Sequence, residues 1–208
     1  ADYNQAIKIN PKYAEALNNR GLARYYLKDY QQAIADFDQA ININPRLAAA
    51  YSNRGLVYRN LKDYQKAISD YDQAIKLDPK YDTAYNNRGN TYNYLKDYQK
   101  AIVDFNQAII LNPQNTNAYN NRGFVYTELK DYQKAIADFS RVIEIDSQNS
   151  LAYFNRAYVY GRLGNKTQAI TDFKQAANLY KQQVNDKEYK TTIKLIERLS
   201  SEELKVKS

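Results

Sequence analysis

The sequence predicts an all-α protein made of repeated helical hairpins and ending in a capping helix. The first observation is a repeat: Leu-Lys-Asp-Tyr-Gln returns every 34 residues, beginning at Leu27, Leu61, Leu95 and Leu129. The second is that small and apolar residues within each period follow helical spacing. A chain of 208 residues built from similar units needs no central core, because each unit buries its apolar face against its neighbours.

The period divides the chain into five full units with partial segments at both ends. Pro45, Pro79 and Pro113 fall near the ends of the first three units, where a residue without an N–H stops a helix. Residues 1–13 match only the second half of a preceding, truncated unit. The full units are 14–47, 48–81, 82–115, 116–149 and 150–183, followed by a capping helix at 184–204 and a tail at 205–208.

Each unit is predicted to form two helices. In the second unit Tyr51, Gly55 and Tyr58 lie at i, i+4 and i+7 and so share one face of the first helix. Ala67 and Tyr71 share a face of the second helix in the same way. Gly and Ala are expected where the two helix backbones cross closely.

A short turn joins the two helices of each unit. Asp63 is placed to cap the second helix of its unit by accepting from free backbone N–H groups. The same role is predicted for Asp29, Asp97, Asp131 and Asn165.

These residues resemble the tetratricopeptide repeat family, in the form of a bacterial-type array. Each unit has an aromatic residue, a Gly four positions later, a Tyr three beyond that, and then Ala, an aromatic, Ala and Pro. The resemblance covers nearly the whole chain and implies a right-handed α-solenoid with a concave groove. The fifth unit departs from it at Ser147, Ala157 and Lys166, as expected of a terminal repeat.

The first helix of each unit carries Asn at one position that a helical wheel turns away from the core. We call these five residues the Asn row: Asn19, Asn53, Asn87, Asn121 and Asn155. A carboxamide donates and accepts, so such a row suits the backbone of an extended peptide. The resemblance implies the same, because family members use Asn at this position to contact peptide. Solvation of an exposed face, or bonding to the adjacent helix, is the alternative interpretation.

Further residues are predicted to face the groove beside the Asn row. The wheel of the third unit turns Asn86, Asn90 and Tyr94 outward, and Phe124 and Tyr158 project to the same side in later units. Tyr26 and Phe154 do likewise. The predicted peptide-binding set is the Asn row with Asn86, Asn90, Tyr94, Phe124 and Tyr158. The Lys of the chaperone-type carboxylate clamp is not matched.

A second row follows the first by one residue. It consists of Arg20, Arg54, Arg88, Arg122 and Arg156, which we call the Arg row. Pairing with an acidic row on the second helices is the preferred interpretation, and ligand binding is the alternative. The predicted partners are Asp36, Asp70, Asp104, Asp138 and Asp172.

Composition narrows the function. The chain has neither Cys nor His, and we find no phosphate-binding loop, nucleophile elbow or metal-ligand spacing, so we expect no enzyme, no cofactor and no metal. The prediction is a scaffold that binds an extended peptide of a partner protein. Nucleic-acid binding, favoured by a net charge of +7, and self-association are the alternatives. We expect no membrane insertion; the compartment is not predicted, with the cytoplasm as default.

Overall fold

The computed structural model describes residues 2–206, with side chains for residues 3–201. Its described part is α-helical throughout and contains no strand, which confirms the predicted all-α helical-repeat fold. The helices are α1 (Asp2–Ile9), α2 (Ala14–Tyr26), α3 (Tyr30–Ile43), α4 (Ala48–Asn60), α5 (Tyr64–Leu77), α6 (Asp82–Tyr94), α7 (Tyr98–Leu111), α8 (Thr116–Glu128), α9 (Tyr132–Ile145), α10 (Ser150–Arg162), α11 (Lys166–Gln182) and α12 (Asp186–Val206).

The helices group into two compact units, residues 1–113 and 114–208. In the first unit α2–α3, α4–α5 and α6–α7 form hairpins, each packed against the next, and α1 packs on α2. In the second unit α8–α9 and α10–α11 form hairpins and α12 packs on α11. We call the first helix of each hairpin A-type and the second B-type.

Close helix crossings explain the small residues of the pattern. A Cβ added to Gly89 would lie 2.9 Å from Cε1 of Phe105, which leaves no space for a side chain. Ala101 and Phe105, on the facing B-type helix, are fully buried. Gly89 therefore lies at a close helix crossing, as predicted, and the ring of Phe105 packs directly against it.

One core position differs from its equivalents. Tyr71 occupies the place that Phe37 and Phe105 hold in the neighbouring hairpins, and all three rings are fully buried. The hydroxyl of Tyr71 has no hydrogen-bond partner. Burial raises the pKa of Tyr71, and the positive charge of Arg59 is the largest effect that opposes this shift. This hairpin therefore buries a polar atom that the others lack.

The turns within the hairpins place one residue in the left-handed backbone region. Lys96 has φ of 60°, and Gly164 occupies the same place in the last hairpin with φ of 78°. Val184, in the turn before α12, has φ of 55° although it is β-branched and 81% exposed. A β-branched residue is disfavoured in that region.

The predicted caps are only partly present. Asp63 accepts a hydrogen bond from the backbone N–H of Lys66, and Asp29 and Asp97 cap their helices in the same way. The prediction was wrong for Asp131, whose side chain makes no cap bond. Asp131 pairs with Lys134 at 2.6 Å, as Asp63 pairs with Lys66. The prediction was also wrong for Asn165, which makes no cap bond.

Helix α12 covers the last apolar face of the second unit. Leu195, Ile196 and Leu199 pack against a buried cluster that contains Ala157 and Phe173. Burial of these side chains fixes α12 on the hairpin by the hydrophobic effect. The expected tail at 205–208 begins within the backbone of α12, and residues 207–208 lie outside the described part.

Candidate functional site

The Arg row is bound tightly within the hairpins. Each of its guanidinium groups donates two parallel hydrogen bonds to an Asp of its own hairpin, at distances of 2.6 to 2.9 Å. These acceptors are Asp36, Asp70, Asp104, Asp138 and Asp172, all buried. The predicted Arg–Asp pairing is confirmed.

The same guanidinium groups also join neighbouring hairpins. Arg54 donates to Asp38 at 2.6 Å and Arg156 donates to Ser140 Oγ at 2.9 Å, in each case on the preceding B-type helix. Arg88 contacts Asp72 in the equivalent way. Three helices therefore meet at one planar cation, whose five N–H groups suit several acceptors at once.

Tyrosine rings of the same helices surround these cations. The Cζ atom of Arg54 lies 5.7 Å from the ring centre of Tyr51 and 5.9 Å from that of Tyr58. The hydrogen bonds that Arg54 donates to Asp70 raise the pKa of its guanidinium above the usual value, and burial opposes this shift. Many of the chain's tyrosines therefore serve the packing of the Arg row.

In the first unit the Asn row is partly engaged within the protein. The Nδ2 group of Asn53 donates to Asn18 Oδ1 at 2.9 Å, and Asn18 Nδ2 donates to Asn19 Oδ1 at 3.2 Å. This is the bonding between adjacent helices that the alternative interpretation expected. Asn87 differs, since its half-buried side chain makes no hydrogen bond within the described part of the chain.

The other predicted residues of the first unit do not share one environment. Asn86 was expected to face outward but is only 8% exposed, and this expectation was wrong. The equivalent residues Asn18 and Ser52 are also buried, and α6 packs directly on α4, so this position of the A-type helices is covered by a neighbouring helix. Asn90 is half-buried on the same helix. Tyr94 is 63% exposed and its ring stacks on Tyr64, with centroids 6.1 Å apart.

In the second unit three predicted residues come together around one cavity. Phe124 of α8 and Asn155 and Tyr158 of α10 line a cavity of about 240 Å³, which we call the aromatic pocket. Its remaining lining residues are Thr127, Glu128, Phe139 and Phe154. Phe124 and Tyr158 are each about half exposed, so apolar ring surface is available to a ligand.

Amides at the aromatic pocket are not paired as in the first unit. Asn155 makes no side-chain hydrogen bond within the described residues, and Asn120 Oδ1 is buried without a partner. The equivalent pair in the first unit, Asn53 and Asn18, is bonded. In the second unit, therefore, the Asn155 side chain lines the aromatic pocket without a hydrogen bond to the described residues. Asn121, which is half-buried on α8, differs from Asn155 because it already interacts with another residue.

Sequence reasoning missed some features of this region. Asn115 and Asn149 cap α8 and α10 by accepting from Ala118 and Ala152, whereas the A-type helices of the first unit begin without a side-chain cap. An Asn three residues before a helical Ala was the available signal. Residues of α12 line a cavity together with α10 and α11, but α12 is not part of a repeat, so no periodic pattern pointed to this cavity.

Comparison with models of protein families shows which family the chain belongs to. A tetratricopeptide repeat model matches residues 14–47, 48–81, 83–115 and 116–149, and a second tetratricopeptide model matches 139–171. The chain belongs to the tetratricopeptide repeat family. Membership supports a scaffold for protein–protein interaction. A comparison with curated protein sequences gave no match.

Solved tetratricopeptide structures resemble the chain in fold. The protein YrrB, described as having an unusual peptide-binding site, is 21% identical with a TM-score of 0.64, covering 86% of this chain and 92% of its own. PilF of Pseudomonas aeruginosa is 17% identical with a TM-score of 0.75, covering 94% and 97%. Yeast Tom70 is 18% identical with a TM-score of 0.82, covering 97% of this chain and 42% of Tom70.

Neither a metal-ligand cluster nor a membrane-spanning helix is found among the described residues. No cluster of three or more His, Cys, Asp or Glu side chains there is arranged to hold a metal ion. Among the same residues, no helix combines the length and the apolar character that crossing a membrane requires.

Proposed function

We propose that this tetratricopeptide repeat chain is a non-catalytic scaffold that binds an extended peptide segment of a partner protein. Within each unit, the segment contacts the face of the A-type helices that carries that unit's members of the Asn row. Amide side chains bond its backbone, and exposed aromatic rings receive its apolar side chains. The proposed contacts are Asn19, Asn53, Asn87, Asn90 and Tyr94 in the first unit and Asn121, Asn155, Phe124 and Tyr158 in the second.

The aromatic pocket carries this proposal. Asn155 and the rings of Phe124 and Tyr158 line a single cavity, and the Asn155 amide makes no hydrogen bond within the described residues. A polar group that donates and accepts, placed beside apolar surface, suits a peptide backbone and its side chain together. YrrB, a protein of the same fold, is described as having an unusual peptide-binding site, which is consistent with this use of the fold.

The bonding of the Arg row argues against a competing function, which is binding of nucleic acid through its phosphates. Its guanidinium groups are engaged with buried Asp side chains, so they are poor candidates for phosphate contacts. Nucleic-acid binding keeps one observation in its favour: Lys190, Lys194 and Arg198 are exposed on α12. Retention of single-stranded RNA that weakens with salt and is lost when these three charges are reversed would support that second function.

Affinity for a selected peptide tests the proposal. A library of random dodecapeptides is selected on the wild-type chain, and synthetic versions of the bound peptides are measured by fluorescence anisotropy. Replacing Asn87, Asn121 and Asn155 with Ala removes three amides, each worth about 0.5–1.5 kcal/mol, so affinity should fall about tenfold or more.

A matched variant controls for the general effect of losing amides. Gln65, Gln99 and Gln133 are exposed on the B-type helices, and their replacement by Ala should leave affinity within about twofold, as surface changes remote from a site do. Equal losses in the two variants, or no loss in the Asn variant, would contradict the proposal. Circular dichroism of both variants verifies that helicity is retained.

A further inference from the structure

One position of the A-type helices carries an aromatic ring only in the second unit. Phe124 and Tyr158 hold the position that Leu22, Leu56 and Asn90 hold in the first three hairpins. All five hairpins form the same pair of helices, so the fold does not require an aromatic ring there. Both rings are about half exposed. The repeat therefore provides its own comparison, and it indicates a use for these rings beyond folding.

Phe154 is a second departure from the repeat in the same region. The equivalent residues of the other hairpins are all polar: Asn18, Ser52, Asn86 and Asn120. The ring of Phe154 packs edge-on against the buried ring of Phe173, with centroids 5.4 Å apart and planes 68° apart. This contact holds the Phe154 ring at the wall of the aromatic pocket. An apolar surface thus replaces the polar side chain that the other hairpins carry.

The aromatic pocket is large enough for an aromatic side chain. Its volume is about 240 Å³, whereas an apolar cavity of about 150 Å³ in a protein already holds a benzene ring. Four of its lining residues are aromatic: Phe124, Phe139, Phe154 and Tyr158. Aromatic rings gain from offset and edge-to-face contacts with one another beyond the area they bury. An aromatic side chain therefore suits this cavity better than an aliphatic one.

The polar groups of the aromatic pocket leave one amide for the main chain of a ligand. The hydroxyl of Thr127 already donates to a backbone carbonyl of its own helix at 2.9 Å. The side chain of Asn155 makes no hydrogen bond within the described residues. Charge does not decide the ligand, because Glu128 also lines an adjoining cavity together with Lys130 and Arg162. Selectivity therefore lies in ring packing, with Asn155 available to a peptide backbone.

We infer that the aromatic pocket takes one aromatic side chain, Phe, Tyr or Trp, of the partner peptide. The ring packs against Phe124, Phe154 and Tyr158, and the amide of Asn155 bonds the main chain of the same residue. Phe154, which lies outside the proposed set of peptide contacts, thereby becomes a residue that determines specificity. This inference rests on the proposed function, because it names the class of peptide that the scaffold takes.

The dodecapeptides selected on the wild-type chain test the inference through their sequences. We expect an aromatic residue at one position of the enriched peptides. Changing that residue to Ala should weaken binding about tenfold or more, because a buried aromatic anchor carries a large share of the binding energy. Changing it to Leu should weaken binding about fivefold, because the contacts between rings are lost.

A double variant removes the two exposed rings of the aromatic pocket. Phe124→Leu with Tyr158→Leu introduces the residue that the first two hairpins carry at this position, so the fold should be retained, as circular dichroism verifies. The variant should bind the aromatic peptide about tenfold more weakly. It should also bind the aromatic peptide and its Leu version with affinities within about twofold of each other.

A matched control removes two rings outside the aromatic pocket. Tyr3 and Tyr13 are 43% and 45% exposed, against 47% and 48% for Phe124 and Tyr158. Replacing both tyrosines with Leu should leave affinity within about twofold, as surface changes remote from a site do. Equal losses in the two double variants, or equal binding of the aromatic and Leu peptides by wild type, would overturn the inference.

A peptide with Trp as its aromatic residue reports burial of the anchor directly, because the chain itself has no Trp. Its indole emission should move to shorter wavelength when the wild-type protein binds it. At saturation this shift should be smaller in the variant that lacks the rings of Phe124 and Tyr158, and unchanged in the variant that lacks those of Tyr3 and Tyr13. A bound peptide whose emission does not shift would contradict the inference.

Failure of this inference is separable from failure of the proposed function. If the Asn variant loses affinity but the selected peptides show no preference for an aromatic residue, the inference is wrong and the scaffold proposal stands. If selection yields no binding peptide, both are overturned. If the rings of the aromatic pocket retain single-stranded RNA and no peptide, they stack on bases and the inference is wrong.

Discussion

The Asn row and the Arg row occupy adjacent positions on the same helices, yet every member of the Arg row is paired with a buried Asp, whereas Asn87 and Asn155 make no side-chain hydrogen bond within the described residues. Arg88 bonds Asp104 of its own hairpin and Asp72 of the preceding one, while the side chain of Asn87 makes no hydrogen bond in the described chain. One residue of sequence, or about 100° of helix rotation, separates a structural role from a surface that is available to a ligand. Recurrence in a repeat protein therefore does not by itself identify a binding residue.

The largest loss of folding stability should come from breaking an Arg–Asp pair. Arg88→Leu leaves Asp104, with a side chain only 4% exposed, without its counter-ion, and loss of one partner of a buried pair costs about 3–5 kcal/mol. The adjacent change Asn87→Ala should alter stability by no more than about 0.5 kcal/mol. Urea unfolding followed by circular dichroism gives both values.

A double variant separates the lost pair from a general packing defect. Arg88→Leu combined with Asp104→Leu removes both charges and should recover part of the lost stability, because an apolar pair often replaces a buried ion pair at little cost. An unchanged urea midpoint in Arg88→Leu would show that the Arg row contributes nothing to folding. Weaker peptide binding in an equally stable protein would then favour a ligand role for the row.

A smaller loss should follow from filling a helix crossing. Gly89→Leu places a side chain against the ring of Phe105, where even a Cβ is too close, and overpacking costs about 1–3 kcal/mol. Gly161→Leu is the matched control, because a Cβ at that helical Gly meets nothing within 4 Å. Equal urea midpoints for the two variants would contradict the packing of α6 on α7.

The smallest effect is expected from Tyr71→Phe, which should increase the stability of the fold. Tyr71→Phe removes a buried hydroxyl that has no partner and makes the position equivalent to Phe105, so stability should rise by about 1 kcal/mol. Thermal unfolding measures the shift. The reverse change, Phe105→Tyr, should lower the midpoint, and a lower midpoint in Tyr71→Phe would mean that the hydroxyl is bonded after all.

The parts of the structure that repeat were predictable from the sequence. Arg54 and Asp70 are 16 residues apart, as are all five pairs, and a helical wheel places both near the packing side of their helices. A regular period fixes which faces meet, so the helices and these pairs follow from spacing alone. The aromatic rings of Phe124 and Tyr158 were placed on a common face by the same reasoning.

Features that depend on a particular neighbour were not predictable. A wheel turns Asn86 outward on its own helix but does not show how much the adjacent hairpins cover it. Asp63 and Asp131 occupy equivalent turns and both pair with the Lys three residues later, yet only Asp63 also accepts a cap bond, and the shared motif does not show this difference. The packing of Leu195 and Leu199 on the last hairpin belongs to α12, which is part of no repeat and so has no register to extrapolate.

Side-chain amide resonances of the Asn row, followed by NMR as a selected peptide is added, test the central claim most directly. Asn87 and Asn155 should shift in a saturable way, because their amides gain bonds to the peptide. The exposed Gln65 and Gln133 amides should remain unchanged. Saturable shifts at the glutamines with none at Asn87 and Asn155 would place the peptide on another face and contradict the account.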